Sequence, residues 1–299
     1  MPQARRHTLR EWVVATRPWS FPASAMPVAV AVTYLWACGF AVKWWLGLLA
    51  LVGIVVVHAA GNVWSDCSDY RRGVDAADTF GVRTLVDGVF TMRQMLTLSI
   101  GLQAVAIAIG LTLVWLTGLP LLWIGMAGIA LSLLYPPLKY LALGDVVILL
   151  CYAVLPMLGT SFIATGSIQT SVLWLAVPVG SITVAILHVN NARDIATDRR
   201  AGIHTFPLLT GAGVARWVYV FEVLMPYAWM VLIVVLGRAP WTTSLALLSL
   251  PVAWGNARTM LRSRREGTGA IATLDEGTAQ LQLLFSLLLV VAFVVARFV

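Results

Sequence analysis

Nine stretches of apolar residues follow one another through this 299-residue chain. A bilayer core takes about 20 apolar residues per helical crossing, so these stretches and their short connections account for nearly the whole length. The composition agrees, because 60% of the residues are hydrophobic and only 11% are charged. The pattern predicts an all-α membrane protein, a single domain over 1–299 with about nine transmembrane helices. The stretches are roughly 20–38, 44–64, 95–117, 119–135, 145–165, 172–190, 214–236, 240–255 and 279–297.

Lysine and arginine are distributed unevenly over the connections. Of the 20 basic residues, all but Lys43, Arg238 and Arg297 fall on one side of the predicted spans. Because such residues concentrate on the cytoplasmic side of membranes, the N-terminus is predicted inside and the C-terminus outside. Nine crossings place the basic connections on one side and the two termini on opposite sides, whereas eight crossings would not. We expect an integral protein of a bacterial cytoplasmic (inner) membrane.

The acidic residues lie on the same side as the basic ones, with the exception of Glu222. Acidic residues contribute little to topology, so their position suggests a polar chamber that opens to the cytoplasm. Glu222 falls inside an apolar span, where a carboxyl group is costly and is a functional candidate. A protonated or hydrogen-bonded carboxyl at a helix interface is the other interpretation, and both remain open.

Several classes of function are not supported by the sequence. The net charge of +7 sits between apolar spans rather than on a basic face, which argues against nucleic-acid binding. The three cysteines form no CxxC pair, and the four histidines form no HExxH motif. A GxxxxGK[ST] phosphate loop is absent from the sequence.

Two acidic clusters stand at the ends of the second and sixth apolar stretches. In the first, Asn62, Asp66 and Asp69 are spaced i, i+4 and i+7, which places them on one face if the helix extends that far. In the second, Asn190, Asp194 and Asp198 repeat the four-residue step, with Asn191 on a neighbouring stripe of the helix. Asp75 and Asp78 follow the first cluster in the connecting segment.

Stacked carboxylates repel one another, so a cation is expected between them. Mg²⁺ prefers oxygen ligands and usually bridges carboxylates to substrate phosphates. Clusters without cysteine or histidine argue against zinc or copper. Basic residues that follow the clusters, or lie in other connections on the same side, are candidates for neutralising a diphosphate. They are Arg72, Arg83, Lys139, Arg199 and Arg200.

The two clusters resemble each other in order. GNVWSDCSDYRRGVD at the first and HVNNARDIATDRRAG at the second each place an asparagine before spaced aspartates and two arginines. The sequence therefore predicts two pseudo-repeated halves, at roughly 10–140 and 141–299.

With these motifs in place, the chain resembles the UbiA superfamily of intramembrane prenyltransferases over nearly its whole length. Within that superfamily it is most similar to the 1,4-dihydroxy-2-naphthoate polyprenyltransferases of menaquinone biosynthesis. The matching segments are TRPWSFPASAMPV, NVWSDCSDYRRGVD, RTLVDGVFTMRQ, YPPLKYLALGD, NNARDIATDRRAG and TAQLQLLFSLLLVVAF.

The resemblance implies a helical bundle around a lipid-open central cavity in which both aspartate motifs bind Mg²⁺ and a polyprenyl diphosphate. Asn62, Asp66 and Asp69 match the first motif, and Asp194 and Asp198 match the second. By the same resemblance Lys139 and Arg83 lie near the diphosphate. The remaining candidates for substrate binding or support come from the matching segments and are Arg17, Asp75, Tyr135, Tyr140, Asn190 and Asn191.

Two positions depart from the superfamily pattern. Ser65 stands where an asparagine usually precedes the first aspartate, and Ile203, His204 and Thr205 replace a basic residue, arginine and threonine. Neither change touches the aspartates, so the chemistry is expected to survive while the acceptor is less certain.

The implied reaction is Mg²⁺-dependent transfer of a polyprenyl group to an aromatic acceptor, with dihydroxynaphthoate losing its carboxylate to give demethylmenaquinone. A prenyltransferase for another aromatic acceptor and a membrane terpene synthase of the same superfamily remain alternatives. An ion-coupled transporter is an alternative of another class, but it should carry its carboxylates near the bilayer midplane rather than at span ends.

Overall fold

Helices make up most of the described part of the chain, residues 7–75 and 83–299, in a computed structural model. No β-strand occurs in these two ranges, and an isolated bridge joins Leu141 to His204. The helix Phe206–Val235 is interrupted at Gly211, whose φ of 84° is left-handed. The helices are α1 (Leu9–Ala15), α2 (Pro22–Ala37), α3 (Trp44–Arg71), α4 (Met92–Thr117), α5 (Pro120–Lys139), α6 (Gly144–Leu149), α7 (Leu155–Thr165), α8 (Leu173–Arg193), α9 (Ile195–Arg200), α10 (Phe206–Val235), α11 (Leu250–Glu266) and α12 (Leu274–Ala296).

The all-α membrane class predicted from the sequence is confirmed. Within the described ranges, 8 helical segments are long and apolar enough to cross a bilayer. The predicted segment 240–255 is the exception, because it forms a 3₁₀ helix (Trp241–Ser249) that runs into α11 and its arginines. A ninth crossing, and with it the predicted placement of the two termini, stays a prediction.

Helix α8 lies at the centre of the bundle. Of its apolar window, 67% is buried, against 17% for α4 and 11% for α5, which lie at the periphery. Side chains from α2, α8, α10 and α12 form the largest apolar core, which includes Tyr34, Ile182, Tyr219 and Phe285. The second aspartate motif therefore follows the most deeply buried of the described spans.

Helix α3 is longer than a bilayer core requires. Its 28 residues span about 42 Å, against about 30 Å of hydrocarbon. It packs closely on its neighbours through small residues, with Gly53 against Ile109 and Gly47 against Val32. The extra turns carry the first aspartate motif beyond the apolar part of the helix.

The span formed by α6 and α7 contains a π-helical turn at Leu150–Val154. The Leu155 amide donates to the carbonyl of Leu150, five residues back. Pro156 has no N–H, so the usual bond to the carbonyl of Tyr152 cannot form. Such turns re-aim side chains, and Cys151 and Tyr152 line the central cavity here.

Candidate active site

A cavity of about 670 Å³ is lined by residues of α2 to α9 and of the start of α12. Along α3 its lining extends from Ala50 to Asp69, a distance of about 28 Å on a straight helix. Aliphatic residues such as Ile54, Ile124 and Ile163 line one part, while charged residues gather at the ends of α3 and α8. The cavity therefore joins a polar mouth to a long apolar chamber.

The first aspartate motif occupies the last turns of α3, as its spacing predicted. The helix continues to Arg71, so Asn62, Asp66 and Asp69 share one face. Asp69 is 7% exposed, and Lys139 Nζ lies 3.3 Å from its Oδ2. Tyr140 donates its hydroxyl to Asp69 Oδ1 at 2.6 Å. The end of α5 thus holds one carboxylate of the motif in place.

Arg17 forms an ion pair with Asp66 from the segment that precedes α2. Its backbone is left-handed, with a φ of 56° and a ψ of 59°, a conformation that costs energy for a non-glycine residue. Asn62 stabilises this segment by donating to the carbonyl of Thr16 at 3.0 Å and to Ser20 Oγ at 3.1 Å. Beside Asp66, the pKa of the Arg17 guanidinium is raised.

The second motif lies at a break in the chain. Helix α8 ends at Arg193, and Asp194 separates it from α9 with a φ of −96° and a ψ of 14°. Arg193 is buried and contacts both oxygens of Asp194, at 3.0 and 3.2 Å, while its Nη1 lies 3.4 Å from Asp275 at the start of α12. Thr205 donates to Asp198 Oδ2 at 2.9 Å. The expected single helical face is therefore replaced by a kink that neighbouring residues hold.

Three connections meet above the polar mouth. Val74, Tyr140 and Ile203 form a small buried cluster, and the amide of His204 donates to the carbonyl of Tyr140 at 3.0 Å. This cluster keeps Asp75 beside the cavity. Burial raises the pKa of Asp75 to about 6, with the Asp69 carboxylate contributing in the same direction. Burial likewise raises the pKa of Asp198 to about 6, against the opposing effect of Lys139.

Carboxylates outnumber cations at this mouth. Among the described lining residues are six carboxyl groups and three basic side chains. Two buried oxygen atoms, Oδ2 of Asp66 and Oδ1 of Asn190, have no hydrogen-bond partner. An excess of carboxylates with unsatisfied oxygens fits a hard divalent cation such as Mg²⁺, whose ligands are oxygen atoms.

The chain matches the UbiA prenyltransferase family over residues 24–274. It belongs to that family. It is 31% identical over 291 residues to UbiA prenyltransferase domain-containing protein 1 of Xenopus tropicalis, covering 95% of this chain and 82% of that protein. Similar solved structures include a UbiA homolog from Aeropyrum pernix K1 in apo form (TM-score 0.68, 17% identity, 97% and 99% of the chains covered). Another is the UbiA homolog from Archaeoglobus fulgidus bound to GPP and Mg²⁺ (TM-score 0.65, 15% identity, 97% and 100% covered).

Most of the residues predicted for the site of this UbiA family member lie together at the cavity. Asp66 lies behind the lining, where it is buried against Arg17. Predicted residues that line the cavity are Arg17, Asn62, Asp69, Asp75, Tyr135, Lys139, Asn190, Asn191, Asp194 and Asp198.

The other predicted basic residues are not placed against the cavity. Arg72 lies over the Tyr140 ring, 4.7 Å from its centroid, and Arg83 is 3.3 Å from Asp87. Arg199 and Arg200 are exposed on α9, so adjacency to the aspartates in sequence did not bring them to the mouth. Tyr140 acts on Asp69 rather than lining the cavity, and Asp78 lies outside the described residues.

Sequence reasoning missed a group of residues that complete the polar mouth. Arg193, Asp275 and Glu276 all line the cavity, although α12 lies far from the aspartate motifs in the chain. The position of Arg193 directly before Asp194 was the available signal. A second signal was the position of Asp275 and Glu276 at the start of the last span, because contact with lipid does not account for carboxylates there.

His58 of α3, Tyr152 of the π-helical turn and two serines at and just before the start of α2 form a polar patch at the wall of the cavity. His58 Nδ1 lies 2.9 Å from Ser24 Oγ, and its Nε2 lies 3.2 Å from Ser20 Oγ. The His58 ring packs against Tyr152 with 4.6 Å between centroids. This patch offers an aromatic surface between the polar mouth and the apolar chamber.

Proposed function

We propose that this protein transfers a polyprenyl group from a polyprenyl diphosphate to an aromatic acceptor, with Mg²⁺ as cofactor. The observation that carries the proposal is the convergence of two aspartate motifs, on α3 and after α8, at the polar mouth of a long apolar cavity. Membership of the UbiA prenyltransferase family supports the reaction class. The related protein from Archaeoglobus fulgidus, solved with GPP and Mg²⁺, supports the substrate and the metal.

Asn62, Asp66, Asp69, Asp194 and Asp198 are the residues that would hold Mg²⁺. When bound, the metal supplies charge neutralisation for the diphosphate as its bond to the allylic carbon lengthens. The unpartnered oxygen of Asp66 and the excess of acidic groups are what such an ion would satisfy.

Lys139 and Arg17 are the cationic side chains best placed to bind the diphosphate. Both line the cavity, and each is already oriented by an aspartate of the first motif. Their positive charge stabilises the leaving group as negative charge develops on it, and the low local dielectric strengthens the contact. Arg193 is a positioning residue, because it holds Asp194 in place.

The apolar chamber binds the prenyl chain. Its walls exclude water, which protects an allylic cation from hydrolysis until an electron-rich ring carbon of the acceptor attacks it. Ionisation breaks the carbon–oxygen bond and leaves both electrons on the diphosphate.

We further propose 1,4-dihydroxy-2-naphthoate as the acceptor, with loss of its carboxylate as carbon dioxide and demethylmenaquinol, the reduced form of demethylmenaquinone, as the product. The support is the resemblance of NVWSDCSDYRRGVD and NNARDIATDRRAG to the naphthoate-type motifs. Asp75, Tyr135 and Asn191, at the mouth, are proposed to contact the ring. We propose accordingly that the protein acts in menaquinone biosynthesis, in a bacterial inner membrane, with its site open to the cytoplasm.

Replacing either motif tests the reaction class. Asp66→Ala and Asp194→Ala in isolated membranes supplied with Mg²⁺ are each expected to abolish prenyl transfer, because each removes a metal ligand. Glu266→Ala, at the exposed end of α11, is the matched control and should retain activity. Near-normal turnover in both aspartate variants would refute the mechanism.

A product assay by mass spectrometry tests the acceptor. Dihydroxynaphthoate, hydroxybenzoate and homogentisate are each offered with several polyprenyl diphosphates, and prenylated, decarboxylated naphthoquinol is the expected product. A hydrocarbon formed from the diphosphate alone would identify a terpene synthase instead. A product from another ring would reassign the acceptor and leave the prenyl transfer intact.

A further inference from the structure

Asp145, His188 and Glu222 meet where α6, α8 and α10 pack together. His188 Nδ1 lies 3.5 Å from Asp145 Oδ2 and 3.6 Å from Glu222 Oε1. One ligand atom from each residue lies within 4.8 Å of the other two. His188 is fully buried and Glu222 is 8% exposed, and the three residues are separate from the cavity lining.

The hydrogen bonding of His188 defines which of its nitrogen atoms is free. Its Nε2 lies 2.9 Å from the carbonyl oxygen of Ala215, which can only accept, so Nε2 carries a proton. In the neutral ring, Nδ1 then carries a lone pair that is directed towards two carboxylates. Nδ1 and the second oxygen of each carboxylate, Asp145 Oδ1 and Glu222 Oε2, are buried without a hydrogen-bond partner. The atoms that face one another are Nδ1, Asp145 Oδ2 and Glu222 Oε1. Three facing acceptors repel one another unless a cation lies between them.

The two separations that involve His188 Nδ1 fit a metal centre better than a hydrogen bond. Separations of 3.5 and 3.6 Å are too long for a hydrogen bond between nitrogen and oxygen. Ligands about 2.0–2.2 Å from a tetrahedral centre lie roughly 3.3–3.6 Å apart. Metal-binding histidines usually donate their second N–H to a carbonyl, as His188 does to Ala215.

We propose that Asp145, His188 and Glu222 bind one divalent transition-metal ion of the zinc class, at a site distinct from the aspartate motifs. A nitrogen ligand with two carboxylates suits zinc, cobalt or manganese more than Mg²⁺, which prefers an all-oxygen shell. Asp145 is the most exposed of the three, so a water molecule can complete the coordination on its side.

The ion would join three helices rather than act on substrate. Asp145 follows Gly144, which approaches the backbone of Lys139: a Cβ added to Gly144 would lie 3.5 Å from Lys139 Cα. The intervening turn contains Ala142 with a φ of 61°. Fixing Asp145 to His188 and Glu222 would therefore hold the strained turn that follows Lys139.

The test measures metal binding directly in purified full-length protein. The protein is stripped with chelator, given millimolar Mg²⁺ to fill the aspartate motifs, and titrated with Zn²⁺ or Co²⁺. One equivalent of Zn²⁺ is expected to remain after dialysis, and Co²⁺ is expected to give the intense visible absorption of a tetrahedral centre. Asp145→Asn and Glu222→Gln should each weaken Zn²⁺ binding at least tenfold.

Two further variants separate this site from the active site. Asp66→Asn with Asp194→Asn should retain the Zn²⁺ equivalent and the Co²⁺ spectrum while losing prenyl transfer. His188→Ala should lose both metal signals, and Asp145→Asn carries the test alone if His188→Ala does not fold. Absence of bound Zn²⁺ in the wild type, or a Co²⁺ spectrum unchanged in Asp145→Asn, would overturn the proposal in favour of a protonated His188 between two carboxylates.

Discussion

Individual side chains at the polar mouth are held by partners from other helices. Asp69 receives Lys139 and Tyr140 from the end of α5, Asp66 receives Arg17, and Asp194 receives Arg193. Each pair limits the rotamers of a carboxylate, so less conformational entropy is lost when a ligand binds. These carboxylates are therefore already positioned before a ligand binds.

Lys139→Met is expected to reduce prenyl transfer on the order of 10- to 100-fold, the range for losing a hydrogen bond to a charged group. The loss should appear in kcat as well as in KM for the prenyl diphosphate, because the side chain both binds the diphosphate and stabilises the charge that develops on it. Steady-state kinetics with varied diphosphate measure it. Lys43→Met, at the opposite end of the bundle, serves as control and should leave both constants unchanged.

The raised pKa values of Asp75 and Asp198, both about 6, predict a pH-dependent response to metal. An unfolded aspartate has a pKa of about 3.9, so the folded protein holds extra protons between about pH 4 and 6. The contribution of these groups to stability is therefore present below about pH 4 and is lost as pH rises through about 6. Mg²⁺ binds the ionised form of Asp198, and its charge favours the ionised form of Asp75 nearby, so bound Mg²⁺ should restore this stability.

The expected result is a larger Mg²⁺-induced rise in Tm at pH 7.5 than at pH 5. Thermal unfolding of the detergent-solubilised protein with and without Mg²⁺ at both values measures it. Equal Tm shifts at the two pH values would show that these carboxyl groups do not titrate with metal binding.

Two helices carry the aspartate motifs, and they do so in different ways. Helix α3 extends unbroken beyond the apolar stretch, whereas α8 stops and turns at Asp194. The position of α8 depends on close contacts with the span formed by α6 and α7. A Cβ added to Gly180 would lie 2.6 Å from Leu149 Cδ1 and 2.8 Å from Ala153 Cβ. The position of the second aspartate motif therefore depends on Gly180, a small residue far from the mouth.

Gly180→Ala is expected to destabilise the protein by about 1–3 kcal/mol, the usual cost of overpacking a close helix contact. Tm in detergent should fall, and prenyl transfer should weaken as Asp194 moves with α8. Gly101→Ala on α4 is the matched control, because a Cβ there would meet nothing within 4 Å. A Tm for Gly180→Ala equal to that of Gly101→Ala would contradict the proposed role of this contact.

For the molecule as a whole, the predicted orientation in the membrane can be tested with cysteine labels on its two faces. Cys38 is exposed at the end of α2 opposite the polar mouth, and Cys67 is buried. Keeping Cys38 as the only cysteine provides a label on one face. A second variant, without native cysteines and with Arg264→Cys on α11, provides a label on the other.

In sealed right-side-out vesicles, a membrane-impermeant maleimide is expected to modify Cys38 and not the cysteine at position 264. Inverted vesicles should give the opposite result. Labelling of position 264 from outside would refute the predicted cytoplasmic mouth. Mass spectrometry of the two variants provides the measurement.

The sequence by itself determined the helical membrane class and the face shared by Asn62, Asp66 and Asp69. Both depend on local quantities, the length of an apolar stretch and the 3.6-residue period of a helix. Only the tertiary structure decided that Arg72, Arg199 and Arg200 do not line the cavity while Arg193 and Asp275 do. It also brought Asp145, His188 and Glu222 together from three helices. Such relations depend on how each helix is rotated against its neighbours, which is set by contacts between side chains distant in sequence.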